Sequence, residues 1–303
     1  MVWLGILLAL GTSVSWAIGN VLTQRVGRLV GPPRAMLWSM AAGAVLAAPC
    51  SLLFDARQAP LTSSVAIWIA AAAVAGVFAY VGLFFAFANE GLTLAVPVVS
   101  SWPLVAGVVS VALLGDALRG VQLLGAAAVV IGVVLVAVPR RDAAATTTTT
   151  AVAAGSEPAS TSTITGKKWA MRAALASAVG FGVMVPAMAH VAPATGAFGA
   201  TVIVFVLGIV LALGIGRLAG VSLRAPPRAA FGLVFATGAV ETMGFVTVAL
   251  ARRFAPMTVV APVASLASTL TVLYAWMILK ERPSRTAIAG ALLAGAGVVV
   301  LAS

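Results

Sequence analysis

Residues 90–137 read EGLTLAVPVVSSWPLVAGVVSVALLGDALRGVQLLGAAAVVIGVVLVA, and residues 255–302 read APMTVVAPVASLASTLTVLYAWMILKERPSRTAIAGALLAGAGVVVLA. Laid on one another at an offset of 165, without a gap, they place Pro97 on Pro262, Ser100 on Ser265, Asp116 on Glu281, Gly125 on Gly290 and Gly132 on Gly297. Both copies are apolar enough to belong in lipid, so the repeated unit is a set of membrane helices. A duplicated helical bundle in a bilayer is characteristically a carrier.

Composition agrees. Of the 303 residues, 62% are AVILMFWYC and a further 30 are glycine, well above the roughly 45 to 50% of a soluble domain with glycine counted in. The 18 basic residues give a net charge of +11 against 7 acids. They sit in short clusters between apolar runs, a topology signal and not a nucleic-acid footprint. The single cysteine, Cys50, excludes an intrachain disulfide, and one histidine, His190, cannot build a His-rich metal site. Met1 to Trp3 carry none of the positive charge of a cleaved signal peptide, so the first apolar segment is expected to be retained.

Apolar stretches of membrane-spanning length predict ten transmembrane helices. Five fall at about 2–22, 35–54, 65–88, 93–114 and 118–138, and five at about 169–189, 197–216, 229–250, 256–279 and 285–303. Between them, residues 140–168 include Thr146 to Thr150 and AVAAGSEPASTSTITG, a low-complexity linker that cannot bury enough apolar surface to order itself. The chain therefore divides into a first repeat at 1–139, a linker at 140–168 and a second repeat at 169–303. An odd number of helices in each repeat makes the two inverted. Of the 18 basic residues, only Arg57, Arg119, Arg252 and Arg253 fall on the face of the termini; the rest gather on the linker's face. The positive-inside rule then puts the linker in the cytoplasm and both termini outside.

The two quoted stretches, each a proline-bearing helix leading to an acidic turn and a Gly-rich helix, resemble the end of the EamA domain of the drug/metabolite transporter superfamily. The resemblance implies an all-α membrane protein of ten helices in two inverted five-helix EamA repeats, moving small metabolites or drugs, often outward. Two features depart from the pattern. Asp116 stands where glutamate is more usual, and members of this family commonly keep both termini in the cytoplasm, the reverse of the charge bias.

Glu241 is the foremost candidate for mechanism. The other acids, Asp55, Glu90, Asp116, Asp142, Glu157 and Glu281, fall in linkers or at span ends, whereas Glu241 sits 12 residues into its span, about 18 Å into a core about 30 Å thick. Intramembrane carboxyls cost about 2.5 to 3.5 kcal/mol on insertion scales and usually face a cavity or a partner. Such a group can exchange a proton with either side, which would couple transport to protons. The repeat counterpart of Glu241 is Gly76, so the role would belong to one half alone. The alternative is a protonated glutamate bonded to a neighbouring helix.

The first span adds Thr12, Ser13, Ser15, Trp16, Asn20, Thr23 and Gln24. Thr12, Ser15, Trp16, Asn20 and Thr23 share one helical face. Ser and Thr can bond their own helix carbonyls, so Asn20 and Trp16, whose amide and indole need partners, carry more of the expectation. Pro97 and Pro262, each followed three residues later by Ser100 and Ser265, read either as paired kinks facing a cavity or as helix starts. Tyr80, Phe84, Trp102 and Phe245 read as an aromatic lining or as packing. The glycine pairs Gly125–Gly132 and Gly290–Gly297 read as close packing between the fifth and tenth spans or, in a homodimer, with another protomer. Asp116 and Glu281 precede helix starts and would complement the helix dipole. His190 is at most a proton relay at an interface.

The sequence holds no HExxH and no Walker loop, so it predicts no enzyme, no metal and no cofactor, and any coupling must come from a gradient. The expected protein is a multi-pass inner-membrane secondary transporter. It would export or exchange a small metabolite, such as an amino acid, a nucleobase-like or a drug-like solute, by alternating access, with lipid, substrate and protons as partners and no nucleic acid. The alternatives are a flippase for a lipid or lipid-linked head group, with basic residues at the cavity mouth, and a non-transporting membrane scaffold.

Overall fold

The computed structural model describes residues 2–56, 59–90, 92–117, 120–136, 164–271, 273 and 285–302. Most of the linker, with Asp142, Glu157 and Thr148, lies outside them, as do Arg57, Arg119, Lys280, Glu281 and Arg282 and the side chains of Glu90 and Pro97. The described residues are helices and short connections. In chain order the helices are α1 (Val2–Val30), α2 (Pro32–Phe54), α3 (Ser63–Glu90), α4 (Leu92–Val99), α5 (Trp102–Leu113), α6 (Gly120–Val136), α7 (Ile164–Thr195), α8 (Ala197–Leu218), α9 (Phe231–Ala251), α10 (Met257–Ala264) and α11 (Arg285–Ala302).

Six of these, α1, α2, α3, α7, α8 and α9, contain stretches long and apolar enough to cross a membrane. The expected fourth span is interrupted at Ser100–Ser101, between α4 and α5, and the ninth at Ser265–Leu266, between α10 and the helical residues 267–271. Eight and twelve residues reach about 12 and 18 Å, so neither α4 nor α5 crosses a core of about 30 Å alone, although end to end they match it. Two boundaries also move. The first helix runs on to Val30, and α7 begins at Ile164, inside the expected linker, and ends at Thr195.

The offset of 165 recurs in the fold. Gly31 (φ 86°) and Gly196 (φ 84°) cap the starts of α2 and α8 in a backbone conformation that side-chain-bearing residues rarely adopt. Each closes the same pair of bonds: Gly31 N–H to Gly27 O and Ala35 N–H to Gly31 O in one copy, Gly196 to Ala192 and Ala200 to Gly196 in the other. Packing is reciprocal as well. Helix α1 lies along α9 as α7 lies along α3; α10 meets α1 as α4 and α5 meet α7; α2 pairs with α8 and α6 with α11. In the last pair, a Cβ on Gly132 would fall 2.5 Å from Ala294 N and Gly290 O, and one on Gly297 would fall 2.7 Å from Gly125 O. These glycines therefore pack α6 against α11 backbone to backbone, the first of the two arrangements their spacing allowed.

The two ends of the bundle differ. At one, the N-terminal face, Gly5 abuts Ala251 and Ala255. There Arg252 Nη2 donates to Asp116 Oδ1 at 2.6 Å, and Met257 N–H donates to Asp116 Oδ2 at 3.0 Å. Asp116 thus serves a helix N-terminus, as expected, but the helix is α10 of the other half and not α6 which follows it. Asp55 does the same for α8, accepting from Gly199 N–H at 2.7 Å. At the opposite face Gly27 lies against Ala88, and Arg34 donates to the carbonyls of Arg224 and Ala225, pinning the connection after α8.

Candidate functional site

Where the interruptions of the fourth and ninth spans approach α1, α3, α7 and α9, they leave a cavity lined by Trp16, Asn20, Leu83, Phe87, Val96, Val99, Ser100, Trp102, Phe181, Glu241, Ser265 and Ala267. Its free volume is about 40 Å³, room for a few waters. Every lining residue stands at the level of the two breaks or towards the opposite face. Towards the N-terminal face the path is filled by α10, whose residues from Met257 to Ala264 are all buried.

The breaks explain how irregular backbone survives here. Pro262 has no N–H to give, and the helix stops three residues later with Ser265 Oγ donating to Pro262 O at 2.6 Å. At that end Ser13 Oγ of α1 donates to Val263 O at 2.7 Å, which also accepts from Leu266 N–H, and lies 3.3 Å from Ala264 O. Ser268 Oγ donates to Ser265 O at 3.0 Å. In the first copy Ser101 Oγ donates to Val98 O at 2.7 Å, and Pro103 starts α5. Pro97 and Pro262 are therefore followed by interruptions in both copies, and Ser100 and Ser265, at those interruptions, line the cavity. Pro262 is not among the lining residues.

Glu241, on α9, is 5% exposed and borders the cavity. It fits because α1 offers Gly19 opposite: a Cβ there would lie 2.8 Å from Oε1. The hydroxyls of Tyr80 and Thr23 stand beside the carboxyl, yet neither closes a hydrogen bond of ordinary geometry, and both are buried. Trp16 Nε1 is likewise buried without a partner. Its indole fills the space over Gly244, where any side chain would collide with it. Two hydroxyls beside the carboxyl and an indole N–H in the same cavity lining gather buried polar groups at one place, where each costs about 1 to 3 kcal/mol if left unsatisfied. Asn20 is held from the other side, its Nδ2 donating to Thr271 Oγ1 at 3.1 Å.

Rings wall the site. Trp16 meets Phe245 edge to face at 5.3 Å and Trp102 at 5.7 Å. Tyr80 meets Phe181 at 5.4 Å, the repeat-equivalent pair of Phe245 and Trp16. Tyr80 and Phe245, themselves equivalent, lie 6.3 Å apart, so the line relating the halves passes close to them.

Of the residues singled out from sequence, Glu241, Trp16, Asn20, Ser100, Trp102 and Ser265 therefore meet at one cavity, and Tyr80 backs the carboxyl. Gln24, farther along α1, does not line it. Of the other polar residues of α1, Thr12 turns to α9, bonding Thr247 Oγ1 at 2.8 Å, and Ser13 turns to α10. Sequence reading missed Phe181, Leu83, Phe87, Val96 and Val99, and it missed Gly19. Phe181 was within reach, since it is Trp16 displaced by the repeat offset. His190 lies on α7 with its ring 5.6 Å from that of Trp68, away from the lining.

Comparison with known proteins follows the same division into halves. The model of the EamA-like transporter family matches residues 3–138 and again 168–303. One solved crystal structure superposes with a TM-score of 0.69, covering 98% of this chain and 95% of that chain at 19% identity, a likeness of fold. Among curated proteins nothing matches. With two family repeats spanning nearly all of its length and at least six helices fit to cross a bilayer, the chain is a multi-pass membrane protein that belongs to the EamA-like transporter family.

Proposed function

We propose that this protein is a secondary transporter of the inner membrane that exports or exchanges a small metabolite, coupled to protons through Glu241, by alternating access of two inverted five-helix repeats at 1–139 and 169–303. The observation that carries the reading is a carboxyl buried at mid-helix, bordering a cavity, with the hydroxyls of Tyr80 and Thr23 beside it and the indole of Trp16 in the same lining. The groups facing it are Tyr80 from α3 and Trp16, Asn20 and Thr23 from α1; no Lys, Arg or His is among the described lining residues. A proton is then the simplest counterion for an empty site. Reciprocal packing of the halves supports the inverted arrangement, in which the broken fourth and ninth spans would each count as one of ten crossings. The cavity's closure at the N-terminal face fits one end state of an alternating cycle. The flippase reading calls for basic residues at the mouth, so the described lining favours a soluble metabolite.

The test is uptake and efflux of labelled amino acids, nucleobases and drugs in proteoliposomes with and without a pH gradient. Gradient-driven movement of at least one solute, lost in Glu241→Gln, is expected; transport indifferent to the gradient removes the proton coupling. For orientation, the charge bias puts residues 140–168 in the cytoplasm. A Cys50→Ser, Thr148→Cys variant is then expected to resist impermeant thiol reagents in intact cells, and labelling from outside would reverse the assignment.

A further inference from the structure

The cavity is two-sided, and the repeat shows why. Displacing the polar residues of α1 by the offset turns Trp16 into Phe181, Asn20 into Val185 and Thr23 into Met188, while Glu241 becomes Gly76. Where Glu241 fills the niche at Gly19 in one half, Met184, the equivalent of Gly19, fills the niche at Gly76 in the other, its Sδ 3.1 Å from where a Cβ would stand. One wall, α1 with α9, therefore carries the carboxyl, an indole N–H and an amide. Apart from the hydroxyls of Ser100 and Ser265, the rest of the lining is chiefly apolar, with Phe181, Leu83, Phe87, Val96 and Val99.

Charge narrows what such a chamber can hold. Glu241 is the one charged side chain among the described lining residues. An anionic solute would find no cation among the described lining residues, and a neutral one would leave Glu241 holding its proton; a cation alone takes that proton's place and pairs the carboxylate. An ammonium would be paired, and the rings beside the carboxyl would attract it further through their faces. The Nδ2 of Asn20 is committed to Thr271, which leaves its carbonyl end to accept an N–H.

Resting on the transport reading above, we propose that the substrate is an amphipathic monocation: its ammonium lies against Glu241 between Trp16 and Asn20, and its apolar, ring-sized body lies against Phe181 and Phe87. A body of that size exceeds the free volume described, so binding widens the cavity.

The test uses the full-length protein in nanodiscs and isothermal titration with four isosteres at neutral pH: phenethylammonium, 2-phenylethanol, 3-phenylpropionate and phenylalanine. Phenethylammonium is expected to bind at least tenfold more tightly than the alcohol or the carboxylate. Glu241→Gln should abolish that preference and Glu241→Asp retain it, and Phe181→Ala should weaken phenethylammonium while leaving ethylammonium unchanged. The proposal is overturned if the neutral or anionic isostere binds as well as the cation, if Glu241→Gln keeps the preference, or if no ammonium compound binds protein shown to be folded by its thermal transition. The same compounds in proteoliposomes separate the two claims. Cation-selective binding without movement of any solute would count against transport and leave the subsite standing; transport of a neutral solute with no cation preference would do the reverse.

Discussion

At the scale of single residues, the repeat supplies its own controls. Gly19 and Gly76 face the side chains of Glu241 and Met184, with 2.8 Å and 3.1 Å between the nearest atom and an added Cβ. In both cases the obstacle is the tip of a flexible side chain, so Gly19→Ala and Gly76→Ala should both fold. Only Gly19→Ala displaces the carboxyl, and it is expected to raise the half-saturating substrate concentration by about tenfold, as sub-ångström misplacement of a binding group commonly does; Gly76→Ala should leave it within about twofold. Transport titrations on both variants check this, and equal effects would remove the special role of the Glu241 niche. Glu241→Gln keeps shape while losing charge. It should hold its thermal midpoint within a few degrees and reduce pH-gradient-driven accumulation to the level seen without a gradient.

At the scale of elements, the interruptions stand or fall with the groups that satisfy their backbones. Ser13→Ala removes the hydroxyl that ties α1 to Val263 O at the end of α10 and should cost about 0.5 to 1.5 kcal/mol, read as a lower thermal midpoint. In the α6–α11 pair the obstacle is backbone. Gly132→Ala and Gly297→Ala should destabilise clearly, whereas Gly295→Ala, two residues from Gly297 on the far side of α11 with nothing within 4 Å, should be silent in the same melting assay. The duplication, the glycine packing and the buried acid were legible in sequence because each is a fixed spacing or a charge where charge is dear. The split of the fourth and ninth spans was only half legible: Pro97 and Pro262 marked the place, but hydropathy is continuous through Ser100 and Ser265, and an apolar run reads the same whether one helix or two carries it. The apolar wall was illegible for a related reason, since nothing in the sequence separates a Leu or Val facing a cavity from one facing lipid.

At the scale of the whole molecule, the ion pair between Asp116 and Arg252 joins the two halves at the face where the cavity is closed, with Asp116 only 7% exposed. The residue equivalent to Arg252 is Phe87, so the opposite face carries no copy of this clasp. Releasing it should favour opening at the N-terminal face. In a Cys50→Ser background, Thr258→Cys, buried in α10, is expected to react with a water-soluble thiol reagent several-fold faster when Asp116→Asn is added; an unchanged rate would show that the pair does not hold that face shut. The placement of Glu241 on one half only has a consequence of its own. Tyr80 and Phe245 lie beside the line that exchanges the halves, one turn along from Gly76 and Glu241. A second half paired with a duplicate of itself would bring two acids to a shared chamber, and a first half so paired would bring none. Self-pairing can yield only an even tally of titratable groups, so a lone acid requires two dissimilar halves, and fusing them into one polypeptide makes that odd number permanent.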